Sequence, residues 1–494
     1  MALAELEGLA QAALRCRAAG LLLACSLAAG AAGAADAADA KATRAGDGAR
    51  EAAAKAKVYG SNPQLVQSIR LGGGFGTEIS VAIANRMYSR TDAAAIADAR
   101  AKLKIEPQGA RTWLLRFPIV NVVVFETDAG LVLVDSGYAP AGPALAEALA
   151  RLSTKPVHTI VLTHFHADHA FGAWALMQGA LKPQVVTSAL FVDEMEEDMR
   201  TYGLIARNNQ QPLDEVPRSW DQAVRPTKVF HDRKLTLSIG GEDFVLTHAP
   251  GETADQLWVW APARRVVVAA DYFQPQLPNA GNGKRRQRYP LEWAQALREM
   301  ARLKPARVLP MHGPALDDEA QIQERVNAQA KVLETISEQV LAGLNAGLRR
   351  DQAVERVALP PELARRPDER PIYNSVRDIA NMEVKRASGW WDDIPSHWAP
   401  APVAEQAREL AALAGGAQRL IERALALAPN AIALAAQLAD LAWFAAPDDD
   451  AVVRGAMEVY RRRVAEPLST QEALVYAEHM VRLQLKLDEL AAKR

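Results

Sequence analysis

Short apolar runs separated by turn residues dominate the chain from about residue 110. Apolar and β-branched side chains fill residues 113–117, 120–125 and 131–134, and Asp128-Ala129-Gly130 separates the last two runs. Runs of this kind predict strands. Further short strands are predicted at residues 158–163, 185–186, 244–246, 257–260, 266–268 and 308–310. Because helices such as the one predicted at 142–152 alternate with these strands, the pattern predicts a layered α/β domain over residues 105–325.

Helical periodicity characterises residues 326–494. Pro360-Pro361 and Pro367 interrupt the pattern, and from about residue 400 apolar residues recur at helical spacing. The recurring positions are Leu420, Ala424, Leu427, Leu434, Leu438 and Leu441. Gly415-Gly416, Pro429-Asn430 and Pro447-Asp448 separate successive helices. The sequence therefore predicts an all-α domain of helical hairpins after the α/β domain.

The N-terminus has the layout of a secretory signal peptide over residues 1–35. Arg15 and Arg17 precede an apolar run at 18–29, and Ala32-Gly33-Ala34 offers a cleavage site. The run is shorter than the roughly 20 residues of a spanning helix, and no other segment reaches that length, so we expect no transmembrane segment. The layout predicts a periplasmic or secreted protein, with a leader and a helix over residues 36–104.

The only two cysteines, Cys16 and Cys25, lie within this predicted signal peptide. A chain cleaved after them cannot form an intramolecular disulfide, even in an oxidising compartment. Leu22-Leu23-Ala24-Cys25 also resembles a bacterial lipobox, in which Cys25 would carry the lipid anchor of an outer-membrane lipoprotein. Cleavage near Ala35 and lipidation at Cys25 both remain open.

Composition sets the scale of the molecule. Of the 494 residues, 49% are hydrophobic and 23% are charged, a composition typical of globular proteins. A chain of this length is too long for a single hydrophobic core. The formal net charge of −2 gives no reason to expect a nucleic-acid partner.

Three of the nine histidines fall within six positions, directly after the strand predicted at 158–163. The run contains His164, His166, Asp168 and His169. Because alternate residues of an extended backbone point to the same side, His164 and His166 can bind one ion while Asp168 and His169 turn toward a second. Imidazole and carboxylate ligands suit Zn²⁺ and similar divalent ions.

This run resembles the signature of the metallo-β-lactamase superfamily, and other motifs follow in that family's order. Asp135 stands in a turn like the family's Asp-Thr-Gly, Asp271 ends a predicted strand, and His312 matches the last ligand. His248-Ala-Pro-Gly-Glu252-Thr resembles the family's Pro-Gly-His-Thr segment, with Glu252 in place of the usual histidine. The resemblance implies an αββα sandwich carrying a metal centre.

The carboxylates Glu252 and Asp271 narrow the resemblance to the alkyl sulfatase branch, whose members have two metal-binding carboxylates at this spacing of 19 residues. Segments at 359–363 and 388–395 resemble the start of the branch's dimerisation domain, so a homodimer is implied. The loop 279–288 departs from the branch's pattern, and we expect no room for its C-terminal sterol-carrier-like domain.

The resemblance implies two zinc ions per chain, with Mn or Fe as alternatives because Glu252 makes its site more anionic. His164, His166 and Glu252 would hold one ion, Asp168, His169 and His312 the other, and Asp271 would lie between them. We expect Asp168 and Asp271 to act in catalysis. Substrate contacts are predicted at Asn279, Lys284 and Arg285, because amide and cationic groups bind the oxygens of anions. A further contact is predicted at Tyr202, which follows a helix expected to cap the pocket.

The predicted function is metal-assisted hydrolysis of a small anionic ester, with an alkyl sulfate as the first choice. A lactone, thioester, phosphodiester or β-lactam is a second choice within the same superfamily. A non-catalytic exported binding module is a third hypothesis, which the complete ligand set disfavours.

Overall fold

The computed structural model describes residues 48, 50–63, 65, 66 and 86–494. The predicted signal peptide, with Cys16 and Cys25, lies outside the described residues, as does part of the predicted leader. Within the described part of the chain, none of the helices combines the length and apolar character needed to cross a membrane.

The first sheet has seven strands in sequence order. Neighbours from β1 to β4 pair antiparallel, and those from β4 to β7 pair parallel. The strands are β1 (Lys104–Pro107), β2 (Thr112–Arg116), β3 (Asn121–Glu126), β4 (Leu131–Val134), β5 (Val157–Val161), β6 (Gln184–Ser188) and β7 (Lys228–Phe230). The central strands are apolar on both faces, as expected of a sheet covered on both sides.

The second sheet has five strands in the order β12-β11-β10-β9-β8, with only β11 and β12 parallel. Its strands are β8 (Lys234–Ile239), β9 (Glu242–His248), β10 (Leu257–Ala261), β11 (Val266–Ala270) and β12 (Arg307–Pro310). Residues from both sheets share one apolar core, in which the rings of Phe125 and Phe244 lie 5.3 Å apart between centroids. The two sheets therefore form the predicted sandwich.

Helices cover this sandwich and continue beyond it. They are α1 (Ala93–Lys102), α2 (Gly142–Leu152), α3 (Ala167–Ala170), α4 (Ala173–Leu176), α5 (Leu190–Arg200), α6 (Tyr202–Asn209), α7 (Pro290–Arg302), α8 (Glu319–Asn345), α9 (Arg350–Glu355), α10 (Pro361–Ala364) and α11 (Val376–Ala387). Trp293 of α7 and Ile336 of α8 share a second core with Val267 of the second sheet. Helix α8 thus crosses residue 325, where the sequence suggests a domain boundary, and belongs to the outer layer of the sandwich.

A third core lies in the C-terminal helices, which confirms the predicted all-α region. These helices are α12 (Val403–Leu413), α13 (Ala417–Leu427), α14 (Ile432–Ala445), α15 (Asp450–Ala465) and α16 (Thr470–Ala492). Ala54, Val58 and Leu65 from the N-terminal segment are buried in the same core. The described N-terminal residues therefore pack against the opposite end of the chain, which the sequence pattern does not predict.

Candidate metal centre

The predicted metal ligands all follow the ends of strands at one edge of the sandwich. The histidine run begins three residues after β5, Glu252 follows β9, Asp271 directly follows β11, and His312 follows β12. Strands β9, β11 and β12 run in the same direction, so their carboxyl ends meet. The sandwich therefore brings together ligands that are up to 148 positions apart in the sequence, from His164 to His312.

His164, His166 and Glu252 form one side of the centre. His164 Nε2 lies 3.0 Å from His166 Nδ1, and His166 Nδ1 lies 3.6 Å from Glu252 Oε1. His164 is fully buried and Glu252 is nearly so. These three side chains, which the sequence assigns to one ion, thus lie next to one another on one side of the centre.

Asp168, His169, Asp271 and His312 form the other side. Asp271 approaches both imidazoles, with Oδ1 at 3.4 Å from His169 Nε2 and Oδ2 at 3.2 Å from His312 Nε2. Asp168 Oδ2 lies 3.6 Å from each of these two nitrogens. Ligand atoms of Asp168, His169 and His312 all lie within 4.8 Å of one another, and so do those of His164, His169 and Asp271. Asp271 is thus placed between the two groups.

The donor atoms fit divalent metal ions. Among the described residues, the buried atoms His169 Nε2, Glu252 Oε2 and Asp271 Oδ1 have no hydrogen-bond partner. Leaving such groups unpaired in a protein interior is costly. Coordination would satisfy all three atoms, and a set of imidazoles and carboxylates is the donor set that zinc and its neighbours prefer.

Hydrogen bonds behind the ligands orient their rings. Asp135 Oδ2 accepts a hydrogen bond from His169 Nδ1 at 2.8 Å, and the carbonyl of Ile119 accepts one from His312 Nδ1 at 2.8 Å. Thr163 Oγ1 donates to Asp135 and lies 3.0 Å from His164 Nδ1. Each Nδ1 hydrogen is thereby used outside the centre, which leaves Nε2 of His164, His169 and His312 to face the metal position.

Burial and neighbouring charges tune these groups. Burial lowers the pKa values of His164 and His166 well below the ordinary histidine value, so both imidazoles are neutral and have a lone pair to donate. Burial raises the pKa of Glu252 to about 7, although the guanidinium of Arg288 opposes the rise. Burial would also raise the pKa of Asp271, but His312 and His169 hold it well below its usual range.

Glu252 lies in a polar cradle. Arg288 Nη1 is 2.7 Å from Glu252 Oε1, and Asn279 Nδ2 donates to the same oxygen at 3.0 Å. The backbone N–H of Glu252 donates to Gln256 Oε1 at 2.5 Å. Arg288 is only 1% exposed, so it orients the carboxylate rather than forming part of a solvated basic loop.

A cavity of about 390 Å³ opens over the centre, and some of the residues predicted to bind substrate line it. Asn279, Lys284 and Arg285 line it. The ammonium of Lys284 pairs with Glu478 of α16, and Arg285 donates to the neutral amide of Asn209. Lys284 is therefore already neutralised, whereas the charge of Arg285 remains available to an anion.

Tyr202, the fourth predicted substrate contact, lies outside the cavity lining. Its ring lies under the guanidinium of Arg218, 4.4 Å from the ring centroid, and it packs beside Ile205 and Val216. Tyr202 is not among the residues that line the cavity, whereas Asn208 of the same helix is. Leu204, Ile205, Asn208 and Asn209 of the same helix line the cavity, whereas the Tyr202 ring is turned toward Arg218.

Sequence reasoning missed other cavity residues. Tyr373 lines the cavity from the segment between α10 and α11, and Gln274 lines it from the loop after β11. Gln274 Oε1 accepts from the backbone N–H of Asn279 at 3.1 Å. Neither residue carries a local motif, since each reaches the site through long-range packing.

Comparisons with known proteins agree with this architecture. Residues 115–312 match the metallo-beta-lactamase superfamily, and residues 349–484 match the family described as alkyl sulfatase dimerisation. A linear primary-alkylsulfatase from Pseudomonas sp. is 29% identical over 325 residues, covering 60% of this chain and 61% of the relative. An alkyl/aryl-sulfatase from Saccharomyces cerevisiae is 21% identical over 335 residues, covering 62% of this chain and 52% of the relative.

A solved structure shows the same fold. The stereoselective inverting sec-alkylsulfatase from Pseudomonas sp. superimposes with a TM-score of 0.69 at 19% identity, covering 81% of this chain and 70% of that protein. The matched stretches of the two curated relatives amount to between half and two thirds of their own lengths.

Proposed function

We propose that this chain, which combines a metallo-β-lactamase domain with an alkyl sulfatase dimerisation domain, hydrolyses alkyl sulfate esters at a two-metal centre. The observation that carries the proposal is the cluster of seven imidazole and carboxylate side chains, with Asp271 between the other six, at the floor of one cavity. The similarity to alkylsulfatases over both domains supports the choice of substrate.

The proposed centre divides its ligands as the sequence predicts. His164, His166 and Glu252 would hold one ion, and Asp168, His169 and His312 the other, while Asp271 lies between the two groups. Divalent ions held there would supply a water of lowered pKa and positive charge for the leaving oxygen. We propose zinc as the natural metal, with Mn or Fe as alternatives because Glu252 replaces an imidazole.

The protein's own residues position water and substrate. The Asp168 side chain is 18% exposed, more than those of Asp271 and His312, so its carboxylate can accept the proton of the attacking water. Arg285 and the amide of Asn279 line the cavity and supply donors for sulfate oxygens. Because Arg285 bonds to a neutral amide, an incoming sulfate does not have to displace a carboxylate from it.

Export and assembly extend the proposal. The signal-like residues 1–35 support a periplasmic or secreted protein, or a lipoprotein anchored at Cys25. Mass spectrometry of the protein expressed with its full N-terminus distinguishes a start near Ala35 from a lipidated Cys25, and an intact Met1 would overturn export. The match of residues 349–484 to the dimerisation family supports a homodimer.

A substrate panel tests the proposed activity. The zinc-loaded protein is assayed against alkyl sulfates, phosphodiesters, lactones and nitrocefin, with His166→Ala as the metal-site variant. We expect turnover of alkyl sulfates, loss of at least 100-fold in His166→Ala, and loss of activity on chelation. Turnover restricted to another class would replace the substrate, and full activity in His166→Ala would refute the metal centre.

A further inference from the structure

The substrate cavity is built by parts of the chain that do not belong to one domain. The metal ligands at its floor come from the ends of sandwich strands, whereas Tyr59, Leu204 and Leu474 line it from the N-terminal segment, from α6 and from α16. These three side chains present apolar surface. The cavity wall therefore combines metal-binding and charged groups with apolar surface, as a molecule with a charged head and a hydrocarbon tail requires.

The N-terminal part of this apolar wall is anchored at several points. Ala54 and Val58 are buried in the core of the C-terminal helices, and Lys57 Nζ lies 2.8 Å from Asp488 Oδ1. Tyr59 OH donates to Gln210 Oε1 at 3.1 Å, directly after α6. The segment thus connects α16 with α6 and holds the Tyr59 ring at the cavity.

The α16 part of the wall is fixed to the rest of the cavity in the same way. Glu478, one turn beyond Leu474, pairs with Lys284 of the cavity loop. The backbone N–H of Thr470 donates to the carbonyl of Ile372 at 2.9 Å, next to the cavity residue Tyr373. Leu474 therefore occupies a defined position relative to the substrate-facing loop.

Leu204 adds an energetic argument. It is 44% exposed although it lies on the cavity side of α6, so a bound apolar group would remove its surface from water. Each methylene transferred from water to an apolar wall contributes about 0.8 kcal/mol, which corresponds to about fourfold in affinity. A hydrocarbon chain of increasing length should therefore bind with a steep, regular gain until it fills this end.

We infer that Tyr59, Leu204 and Leu474 form a hydrocarbon-binding end of the cavity that sets which alkyl chain lengths are accepted. The inference rests on the proposed function. It assigns chain-length specificity to the N-terminal segment, α6 and the C-terminal helices, while the sandwich supplies the metal centre and the anion-binding groups.

Calorimetric binding of n-alkanesulfonates tests the inference without requiring turnover. Chains of four to ten carbons are titrated below their micellar concentrations into the metal-loaded protein, its Leu474→Asn variant and its Leu204→Asn variant. For the native protein we expect the Kd to fall about fourfold per methylene. In both variants the affinity for the longer chains should rise less than twofold per methylene, while the affinity for the four-carbon ligand should be unchanged.

Matched variants separate a local effect from a general one. Leu413→Asn changes an exposed leucine of α12 that lies outside the cavity lining, and it should keep the native slope. Leu474→Met keeps an apolar side chain and should also keep the native gain in affinity per methylene. In Leu474→Trp the larger side chain should make this gain stop at a shorter chain length. Metal content and circular dichroism confirm that each variant is folded and loaded.

The outcomes for the inference and for the proposed function differ. The hydrocarbon-binding end is overturned if the Kd of the native protein does not change with chain length. It is also overturned if the Kd falls steeply per methylene but neither asparagine variant reduces this gain and Leu474→Trp does not lower the chain length at which the gain stops. Either result stands even if alkyl sulfates are hydrolysed. A steep slope that the variants flatten supports the hydrocarbon-binding end. In that case, failure to hydrolyse any alkyl sulfate would overturn the activity alone.

Discussion

Asp135 shows how a residue outside the ring of ligands can control the metal centre. It is fully buried and has a left-handed backbone with φ of 62°, directly after β4. Its Oδ1 accepts the backbone N–H of Thr163 at 2.7 Å, and its Oδ2 accepts Thr163 Oγ1 and His169 Nδ1 at 2.8 Å each. One carboxylate therefore fixes both the start of the histidine run and the ring of His169.

Asp135→Asn should weaken metal binding. The amide can no longer accept from all three donors, so His169 loses the fixed orientation of its ring. Changes of this kind typically reduce metal affinity about 10–100-fold, which competition with a chromogenic chelator measures. Asp128→Asn is the control, because Asp128 lies on the neighbouring β3–β4 turn with its side chain 80% exposed. Equal affinities in the two variants would contradict this role of Asp135.

The raised pKa of the largely buried Asp198 carboxyl leads us to expect that stability depends on pH. Burial raises its pKa to about 6 although Arg286, 2.9 Å away, opposes the rise. Since the folded pKa exceeds the ordinary value of 3.8, the contribution of Asp198 to stability is largest below about pH 4 and is lost as pH rises through 6. We expect the stability of Asp198→Asn relative to the native protein to improve by about 2–3 kcal/mol between pH 4 and 7, as measured by denaturant unfolding.

Glu197 on the same helix provides the opposite control. Its carboxylate is hydrogen-bonded to Arg200, which lowers its pKa, so its stabilising contribution is present at neutral pH and lost on acidification. The stability of Glu197→Gln relative to the native protein should therefore move in the opposite direction over the same pH range. A pH-independent difference for Asp198→Asn would refute the assignment.

The sequence could single out the candidate ligands because they lie in short motifs at strand ends, and the fold brings them together. The residues that contact an anion are harder to predict, because the side chains that pair with them are distant in the sequence. Lys284 meets Glu478, which is 194 positions away, and Arg286 meets Glu194 and Asp198. The sequence of a basic run does not show which of its charges are paired with carboxylates. Only the fold shows that Arg285, unlike Lys284 and Arg286, bonds to a neutral amide.

At the scale of elements, the loop from Asn279 to Arg288 depends on close packing against α11. Gly281 lies against the backbone of Asp378 and Ile379 in the first turn of that helix, where an added Cβ would overlap it. The helix start is itself fixed by a capping box between Ser375 and Asp378. The loop that supplies Asn279 and Arg288 to Glu252 is therefore held from behind by α11.

Gly281→Ala and Gly283→Ala form a matched pair that tests this packing. The added methyl at Gly281 forces loop and helix apart, so we expect a loss of about 1–3 kcal/mol together with lower kcat/KM. At Gly283 nothing lies within 4 Å of the added Cβ, so the change should be neutral or slightly stabilising. Thermal unfolding and kinetics of both variants provide the measurement, and equal behaviour would show that the loop is not constrained at Gly281.

The elements themselves could largely be predicted. The sandwich strands that carry ligands appear as apolar runs, and the C-terminal helices appear through their period. Two features could not be read in this way. Lys104–Pro107 is a strand at the end of a predicted helix, because its pairing with β2 is a tertiary effect. Helix α8 crosses the suggested boundary because periodicity marks an apolar face but not the layer on which that face packs.

At the scale of the whole molecule, the cavity depends on contacts between the two ends of the chain. Tyr59 and Leu474 lie 415 positions apart in the sequence and line the same cavity. No local pattern contains this information, since among the described residues of this segment only Ala54, Val58 and Leu65 are buried apolar side chains. The sequence could therefore predict a metal centre and a helical domain, but not that the helical domain completes the substrate cavity.

The remaining surface of the helical region is suited to a second copy of the chain. Trp390 and Trp398 are 69% and 65% exposed, and their rings lie 5.3 Å apart between centroids. Arg350 holds the loop by donating to the carbonyls of Gly389 and Trp390, at 2.6 and 2.9 Å. Rigid, exposed aromatic side chains are typical of interface centres, and these two lie within the segment that matches the dimerisation family.

The double variant Trp390→Ser/Trp398→Ser should therefore weaken the proposed homodimer. Central interface aromatics contribute at least about 2 kcal/mol each, or about 4 kcal/mol for the two, so we expect the dimer Kd to rise by about 1,000-fold, as measured by sedimentation equilibrium. Leu181→Ser, which changes an exposed leucine before β6, should leave the Kd unchanged. Because the metal centre and cavity are built within one chain, monomers of the double variant should keep their metal content. A native monomer, or an undisturbed dimer in the double variant, would show that this aromatic surface is not the interface.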